Sequence, residues 1–222
     1  MNKLNHVAFI MDGNGRWGQQ RSKGRNFGHL NGVKTVKKIV EKSIKLKIPI
    51  VTFYVFSTEN WKRPKSEINF LFQLIINYFK EELNRVILNG IKINILGKLN
   101  RLPSKIKTAL KDVSKKTKKN KKIIVNLAIN YGSRDEIVEA CKMITDKINI
   151  KSLSKNLYTR NLPNPDILIR TGGHKRLSNF MLWQLAYTEI YFVDKLWPDF
   201  SGRDFEKITN NFKKVKRNFG SI

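Results

Sequence analysis

The stretch His6-Val7-Ala8-Phe9-Ile10-Met11-Asp12-Gly13-Asn14-Gly15-Arg16-Trp17-Gly18 decides how this chain is expected to fold. The apolar run from His6 to Met11 is typical of a buried strand, and it ends at a carboxylate followed by flexible glycines and an arginine. In open α/β sheets, ligands bind outside the carboxyl ends of the strands. The stretch therefore predicts a first strand that delivers Asp12 to the ligand-binding edge of a sheet.

The three glycines of this stretch also satisfy the G-x-G-x-x-G pattern of dinucleotide-binding folds. That pattern requires an acid about 20 residues further on, which hydrogen-bonds the ribose. Positions 34 to 40 hold lysines and no acid, and the next apolar run begins only at Ile50. We therefore interpret the glycine match as coincidental.

Length and composition bound the class of protein. The chain has 222 residues, 41% of them apolar, which suits a single domain over residues 1–222 with a buried core. The lone cysteine, Cys141, excludes an internal disulfide. No apolar run reaches the roughly 18 residues that span a bilayer. We therefore expect a cytoplasmic protein.

The charge balance is strongly basic, with 44 Lys and Arg against 17 Asp and Glu, a formal net charge of +27. Such a charge attracts nucleic acid, anionic lipid or phosphorylated metabolites without choosing between them. Much of the excess is lysine in a chain also rich in Asn and Ile, which a genome biased towards A and T codons explains equally well. Charge alone therefore leaves the partner open.

Strand-like runs alternate with helical patterns along the chain. The expected strands are His6–Met11, Ile50–Phe56, Ile91–Leu96, Ile123–Ile129, Ile167–Arg170 and, as a last candidate, Glu189–Val193. The expected helices cover Leu30–Ile44, Ser66–Asn89, Pro103–Lys119 and Arg134–Ile148. Because parallel neighbours need crossover connections, the alternation predicts an α/β fold with a mostly parallel central sheet of about six strands flanked by helices.

Polar residues follow three of these strands, at the edge that parallel strands share. Asp12 follows the first strand, Ser57-Thr58-Glu59-Asn60-Trp61-Lys62-Arg63 follows the second, and Arg170-Thr171-Gly172-Gly173 ends the fifth, with Arg176 and Ser178 close behind. Guanidinium forks match phosphate oxygens, and each charge-assisted bond contributes about 1.5–3 kcal/mol. The sequence therefore predicts a polyphosphate with a metal ion at Asp12, and a second anion site beside it.

Four motifs in the chain resemble those of one known family. They are H-V-A-F-I-M-D-G-N-G-R-W from His6, F-S-T-E-N-W-K-R-P from Phe56, N-Y-G-S-R-D-E from Asn130, and R-T-G-G-x-x-R-L-S-N-F-x-L-W-Q-x-A-Y-x-E from Arg170. In this order, over nearly the whole chain, they are similar to the motifs of the cis-prenyltransferases.

The resemblance implies an activity. These enzymes add isopentenyl diphosphate repeatedly to an allylic diphosphate, here expected to be farnesyl diphosphate, and each addition forms a cis double bond. The implied product is a long-chain polyprenyl diphosphate, expected to be undecaprenyl diphosphate for the cell-wall lipid carrier. The family also implies Mg²⁺ as cofactor, a homodimer, no nucleic-acid partner, and peripheral membrane contact at the inner face through the lipid product.

The resemblance also implies site residues. Asp12 and Glu189 are expected to bind the metal. Asp12 and Asn60 are the expected catalytic residues, with Asn60 assisting proton removal. The implied substrate-binding residues are Gly13, Asn14, Gly15, Arg16, Trp17, Arg25, His29, Ser57, Thr58, Glu59, Trp61, Arg63, Arg170, Arg176, Leu177 and Ser178. One departure is His174-Lys175, where bacterial relatives commonly carry Glu-His; a lysine cannot ligate Mg²⁺ at neutral pH.

The helix expected over Ser66–Asn89 is apolar on more than one face. A helix packed on a sheet needs only one apolar stripe. The surplus could line a hydrophobic tunnel for a growing hydrocarbon, or simply bury the helix in the core or at a dimer interface. Periodicity does not separate these readings, and only the family resemblance favours the tunnel.

Two further functions compete with this one. A phosphatase of the haloacid dehalogenase type also begins with Asp after its first strand, but its D-x-D pattern fails because position 14 is Asn14. A basic nucleic-acid-binding protein would use the same arginines for phosphodiesters, and steeply salt-dependent binding to any polynucleotide would reveal it. The nucleic-acid binder remains the alternative.

Overall fold

The computed structural model describes residues 2–217, which fold around one six-stranded sheet. The strands are β1 (His6–Ile10), β2 (Ile50–Ser57), β3 (Ile91–Leu96), β4 (Ile123–Tyr131), β5 (Ile167–Arg170) and β6 (Glu189–Phe192). Their order is β3-β4-β2-β1-β5-β6, and every neighbouring pair is parallel. The predicted α/β class and parallel sheet are confirmed.

Helices connect these strands and cover both faces of the sheet. They are α1 (Asn14–Gln19), α2 (Gly24–Lys45), α3 (Lys65–Leu88), α4 (Ser104–Thr117), α5 (Ser133–Lys142), α6 (Ile150–Asn156) and α7 (Gly202–Phe212), with short 3₁₀ helices over Thr58–Lys62 and Trp197–Asp199. Within residues 2–217, none of the helices combines the length and apolar character needed to cross a membrane.

The central strand β1 is buried along its whole length, because strands flank it on both sides and helices cover both faces. On one face Phe9 stacks on Phe53, with ring centroids 5.0 Å apart. On the other face Ala8 packs in a second cluster that contains Leu168 and Phe180. This two-sided burial fixes the point at which the chain emerges from β1.

The strand registers bring the predicted motifs to one edge. Ile10 lies beside Arg170 in the β1–β5 pair, so the two strands end level with each other. Strand β2 continues to Ser57, with register irregularities near its end where it pairs with β4. The residues after β1, β2 and β5 therefore start from the same side of the sheet.

The glycine-containing stretch after Asp12 is not the flexible loop that the sequence suggested. Residues Asn14–Gln19 form α1, which packs closely on α2. A Cβ on Gly18 would lie 2.0 Å from the carbonyl oxygen of Gly24, and one on Gly28 would lie 1.7 Å from that of Asn14. These glycines permit two helices to touch through their backbones, a requirement that glycine spacing alone does not reveal.

The helix boundaries differ from expectation in the second half of the chain. The helix expected over Arg134–Ile148 ends at Lys142, and the apolar residues after it are not buried, with Ile148 64% exposed. A separate helix, α6, follows Asn149, whose side chain accepts the N–H of Ser152. Helix α7, which the sequence analysis missed, begins after a capping pair of Ser201 and Asp204.

Candidate active site

Asp12 lies just beyond β1, where two arginines contact its carboxylate. Arg170 Nη2 is 2.8 Å from Oδ2, and Arg16 Nη2 is 3.3 Å from Oδ1. Burial alone would raise the pKa of Asp12, but the hydrogen bonds and charges of Arg170 and Arg16 outweigh it and hold the pKa below its usual value. A quarter of the side chain remains exposed. The carboxylate is therefore ionised at neutral pH and accessible from solvent.

Both arginines are held by further hydrogen bonds. Arg16 Nη2 also donates to the carbonyl oxygen of Gly172 at 2.7 Å. Arg170, whose side chain is only 3% exposed, donates through Nη1 to Ser178 Oγ at 2.8 Å and to the carbonyl oxygen of Arg176. The protein thus fixes these guanidinium groups, and their positive charge is in place before any ligand arrives.

A second carboxylate, Glu67 on α3, gathers three groups. Arg25 donates to it through Nε and Nη2 at 3.0 and 3.1 Å, and Arg63 Nη1 lies 3.1 Å from Oε1. His29 Nε2 is also 3.1 Å from Oε1. Burial works to raise the pKa of Glu67, but the hydrogen bonds from Arg25 and His29 and the charges of the arginines lower it to about 2.

His29 is neutral in this cluster. Burial is the largest influence on the pKa of His29 and lowers it, although the bond to Glu67 opposes the shift. Because ionised Glu67 can only accept, Nε2 of His29 carries the hydrogen. Glu67 therefore orients one neutral and two cationic side chains, with Arg25 and His29 both from α2 and Arg63 from the end of the 3₁₀ segment after β2.

The segment Thr58–Lys62, which follows β2, is fixed by side-chain hydrogen bonds. Asn60 Oδ1 accepts the N–H of Ser57 at 3.1 Å. Glu59 accepts from Asn179 Nδ2 at 2.8 Å and from Thr58 Oγ1 at 3.2 Å. This segment therefore joins the end of β2 to the loop after β5.

A polar cavity of about 610 Å³ opens at this edge of the sheet, and we call its lining the polar rim. Ten of the predicted site residues line it: Asp12, Asn14, His29, Ser57, Glu59, Asn60, Arg63, Arg170, Arg176 and Ser178. Three strand ends and the start of α2 thus contribute to one concave surface that combines carboxylates with cationic and amide groups.

Two apolar cavities continue inward from the polar rim between α2, α3 and the sheet, and we call them together the apolar channel. The nearer one, about 120 Å³, shares Met11, Asn14, His29, Val55 and Leu71 with the polar rim. The farther one, about 220 Å³, shares Val36, Tyr78, Phe79 and Leu127 with the nearer one. The apolar surplus of α3 therefore faces a channel, as the tunnel reading of the sequence expected.

Several predicted residues support the polar rim without lining it; these are Gly13, Gly15, Arg16, Trp17, Arg25, Thr58, Trp61 and Leu177. A Cβ on Gly15 would lie 2.4 Å from Arg25 Nη1, so Gly15 leaves space for that guanidinium. Trp17 stacks on Phe27 and donates to Asp199 Oδ1 at 2.7 Å. Leu177 packs against the core cluster that contains Phe180.

Glu189, predicted as a second metal ligand, does not join Asp12 within one chain. It is the first residue of β6 and pairs with Ile167, whereas Phe192 is level with Arg170. Glu189 is therefore three residues along the strand from the level of Arg170, a distance of about 10 Å. The expected pairing of Asp12 and Glu189 is therefore wrong within a single copy, because β6 runs parallel to β5 and presents Glu189 at the opposite edge of the sheet.

Beside four apolar residues, three further polar residues line the polar rim that the sequence analysis did not assign to it: Tyr54, Arg134 and Asn179. Asn179 Oδ1 accepts the backbone N–H of Arg134 at 2.9 Å, which ties the loop after β5 to the start of α5. Both residues belong to motifs noted in the sequence, which was the available signal. Tyr54 lies within β2 and had none. Glu67 was not among the predicted site residues.

The residues present fit a magnesium ion bound together with a diphosphate. Among residues 2–217, no three His, Cys, Asp or Glu side chains converge as a complete metal site. Mg²⁺ usually takes only one or two carboxylates from a protein and the remaining ligands from substrate phosphates and water. The ionised, partly exposed Asp12 supplies such a carboxylate, and its two arginines are suited to the phosphates.

Comparison with known proteins identifies close relatives over the whole chain. Residues 10–220 match the family model described as "Putative undecaprenyl diphosphate synthase". An isoprenyl transferase of Clostridium perfringens is 42% identical over 98% of this chain and 90% of the relative. These matches give no support to the nucleic-acid-binding alternative.

Solved structures agree with this match. A lavandulyl diphosphate synthase from Lavandula x intermedia, solved with dimethylallyl diphosphate, superposes with a TM-score of 0.93 at 32% identity and 98% coverage of both chains. A probable undecaprenyl diphosphate synthase from Campylobacter jejuni gives 0.86 at 40% identity over all of both chains. The protein therefore belongs to the undecaprenyl diphosphate synthase family of prenyltransferases.

Proposed function

We propose that the protein is a Mg²⁺-dependent cis-prenyltransferase that condenses isopentenyl diphosphate onto farnesyl diphosphate and extends it to undecaprenyl diphosphate. The observation that carries the proposal is the junction of the polar rim with the apolar channel. A diphosphate needs fixed cations, and an isoprenoid tail needs an apolar wall, which contributes about 0.8 kcal/mol per buried methylene. The two surfaces share five side chains.

The allylic diphosphate fits the part of the polar rim formed by residues after β1 and at the start of α2. Asp12 would bind Mg²⁺ there, with Asn14, Arg16, Arg25 and His29 around the phosphates. The isoprenoid tail of the allylic substrate would enter the apolar channel past Met11 and Leu71, which line both the polar rim and the nearer apolar cavity. Gly13 and Gly15 allow the backbone and Arg25 to approach closely.

Isopentenyl diphosphate fits the part formed by residues after β5. Arg170, Arg176 and Ser178 line this side of the polar rim. Because Arg170 is hydrogen-bonded to Asp12, the two diphosphates would lie next to each other. That proximity replaces a bimolecular encounter with an oriented one.

In each condensation, the double-bond electrons of isopentenyl diphosphate form a bond to C1 of the allylic substrate. The C1–O bond breaks, diphosphate leaves with the electron pair, and a proton is lost from isopentenyl C2. Arg16 on the allylic side, with Arg170 beside it at Asp12, would stabilise the charge that develops on the leaving oxygens. Bound Mg²⁺ would supply further charge stabilisation as a Lewis acid. Asn60, which lines the polar rim, would assist the transfer of that proton to a substrate oxygen.

We further propose that the protein is a homodimer. Strand β6 is an edge of the sheet, and Ile190 and Phe192 on it are each 39% exposed. Tyr187 and Leu182, just before this strand, add further exposed apolar surface. Several exposed large apolar side chains at and near an edge strand are a feature of subunit interfaces. Sedimentation of the purified protein at several concentrations would reveal a dimer.

One experiment tests the activity. The purified protein is incubated with farnesyl diphosphate and radiolabelled isopentenyl diphosphate, with and without Mg²⁺, and the dephosphorylated products are separated by thin-layer chromatography. We expect label in a long-chain polyprenol only when Mg²⁺ is present. No chain elongation under either condition would overturn the proposal, whereas steeply salt-dependent binding to polynucleotides would revive the alternative.

A further inference from the structure

The motif that begins at Asn130 has no role in the polar rim as described, apart from Arg134. Asn130 itself is 3% exposed and does not line the cavity. Its backbone is in the left-handed region, with φ of +49°. Among residues other than glycine, asparagine adopts this region most readily, so the position favours Asn on backbone grounds alone. Its side chain, however, makes two further contacts.

The Asn130 amide joins two segments of the chain. Its Oδ1 accepts the indole N–H of Trp61 at 2.7 Å, and its Nδ2 donates to the carbonyl oxygen of Lys98 at 2.7 Å. The backbone N–H of Lys98 donates in return to the carbonyl oxygen of Asn130 at 3.3 Å. Asn130 is thus tied to the loop between β3 and α4, which makes it a firm anchor for Trp61.

Trp61 lies in the 3₁₀ segment that carries Asn60 and precedes Arg63. Its ring packs edge-on against Phe56 and Phe72, with centroids 5.2 and 5.7 Å away. The hydrogen bond to Asn130 adds a directional contact to this packing. The bond from Trp61 to Asn130 therefore helps to fix how the segment sits over the cavity, together with the bonds of Asn60 and Glu59.

We propose that Asn130 is a positioning residue that acts through Trp61 to hold Asn60 and Arg63 in the geometry required for condensation. This inference rests on the proposed function, because it concerns the rate of that reaction. Asn130 does not line the polar rim, so its effect would reach the reaction through Trp61. Its contribution is to keep a short segment, attached to the protein through few backbone contacts, from rotating away from the polar rim.

The test compares Asn130→Gly, Trp61→Phe and the double variant. Glycine accepts the left-handed backbone without strain and removes both amide contacts, while phenylalanine keeps the ring packing and removes only the indole N–H. We expect each single variant to lower kcat about tenfold, as loss of one well-placed hydrogen bond does. The double variant should be no slower than the slower single one, because both changes remove the same bond.

Two controls separate positioning from general destabilisation. Asn120→Ala removes another asparagine amide that donates to backbone, to the carbonyl oxygen of Ile91 at 2.8 Å, but lies away from the cavity. It should lower the melting temperature and leave kcat unchanged. Asn130→Asp keeps an acceptor for the indole N–H and loses the donor to Lys98, so it should recover part of the rate that Asn130→Gly loses.

Hydrogen exchange gives a readout independent of turnover. Amides of residues 58–63 should exchange faster in Asn130→Gly than in the wild type, and not in Asn120→Ala. Multiplicative losses of kcat in the double variant, unchanged exchange in this segment, or a wild-type kcat in Asn130→Gly would overturn the inference. A wild-type protein that elongates nothing would instead refute the proposed function, and the exchange measurement would still report on Asn130.

Discussion

The polar rim and the apolar channel meet at shared side chains but are constructed on different principles. In and beside the polar rim, hydrogen bonds hold several of the functional groups: Arg170 has three partners, and Glu67 orients Arg25, His29 and Arg63. In the apolar channel, aliphatic and aromatic side chains of α2, α3 and the sheet form most of the walls, and charged residues such as Lys37 and Glu82 line only the farther cavity, so side-chain volume defines most of the space. Charge should therefore control rate at the polar rim, and volume should control product length in the apolar channel.

The largest effect is expected at Asp12. Asp12→Asn keeps the shape of the side chain and removes its negative charge, so it should lose Mg²⁺ affinity and lower kcat by about 10²–10³-fold. Steady-state assays over a range of Mg²⁺ concentrations measure this. The residual product should have wild-type length, because the apolar channel is untouched.

Asp12→Asn also has a structural consequence that can be checked. Arg16 and Arg170 keep their bonds to the carbonyl oxygens of Gly172 and Arg176, so the fold should persist with an unchanged circular dichroism spectrum. Full activity in this variant would contradict the proposed metal role. A shift in product length would contradict the separation between the polar rim and the apolar channel.

Glu67→Gln is expected to have the next largest effect. A neutral amide in place of this carboxylate could not hold two guanidinium groups and His29 at once, so the KM for the allylic substrate should rise about tenfold, as for loss of a charge-assisted bond. Measurement of KM for both substrates locates the effect. An equal rise in the KM for isopentenyl diphosphate would show that the side chains held by Glu67 serve both substrate subsites.

The same variant tests the pKa of Glu67. Because its folded pKa of about 2 lies below the ordinary value of 4.5, ionised Glu67 stabilises the fold above pH 4.5, and this stability is lost as pH falls from 4.5 towards 2. The free energy of unfolding of wild type should exceed that of Glu67→Gln by roughly 2 kcal/mol at pH 7, after allowance for solvent around Arg25. Denaturant titrations should show that this difference in unfolding free energy between wild type and Glu67→Gln disappears near pH 2. A difference that stays constant with pH would mean that the fold does not stabilise the ionised form of Glu67.

The two regions also differ in how far the sequence could predict them. Asp12 and Arg170 were predictable, because each follows a short apolar run and parallel strands end at one edge. The apolar channel was only suggested, since the extra apolar residues of α3 fit a buried helix equally well. Arg63 is a local i,i+4 partner of Glu67, but the other partners of Glu67, Arg25 and His29, are 42 and 38 residues away and Trp61 is 69 residues from Asn130, and no local pattern encodes such distant contacts. The misplaced Glu189 had the same cause, since strand register decides which edge a residue reaches.

Val36→Phe probes volume alone. Val36 on α2 lines both apolar cavities, so a phenyl group there should narrow the passage between them. We expect shorter polyprenyl products at a first-condensation rate within about twofold of wild type, because no charge at the polar rim changes. Val138→Phe, at a site 53% exposed on α5, is the matched control and should leave the products unchanged. Products of wild-type length from Val36→Phe would show that the tail does not pass this point.

The smallest effect is expected where charge lies beside the apolar channel. Lys37 Nζ and Glu82 Oε1, 2.7 Å apart, join α2 to α3 at the wall of the farther cavity. The double variant Lys37→Gln with Glu82→Gln should cost under about 1 kcal/mol in unfolding free energy, as for a partly exposed ion pair, and leave kcat unchanged. If this pair limits the far end of the apolar channel, the product distribution should shift to slightly longer chains.

The control is the Lys42–Glu206 pair, which joins α2 to α7 at 2.8 Å and lines none of these cavities. Equal product distributions in both double variants would show that the Lys37–Glu82 pair does not limit product length, which would leave aromatic residues such as Tyr78 and Phe79 as the candidates. A fall in kcat would contradict the expectation that charge controls the rate only at the polar rim.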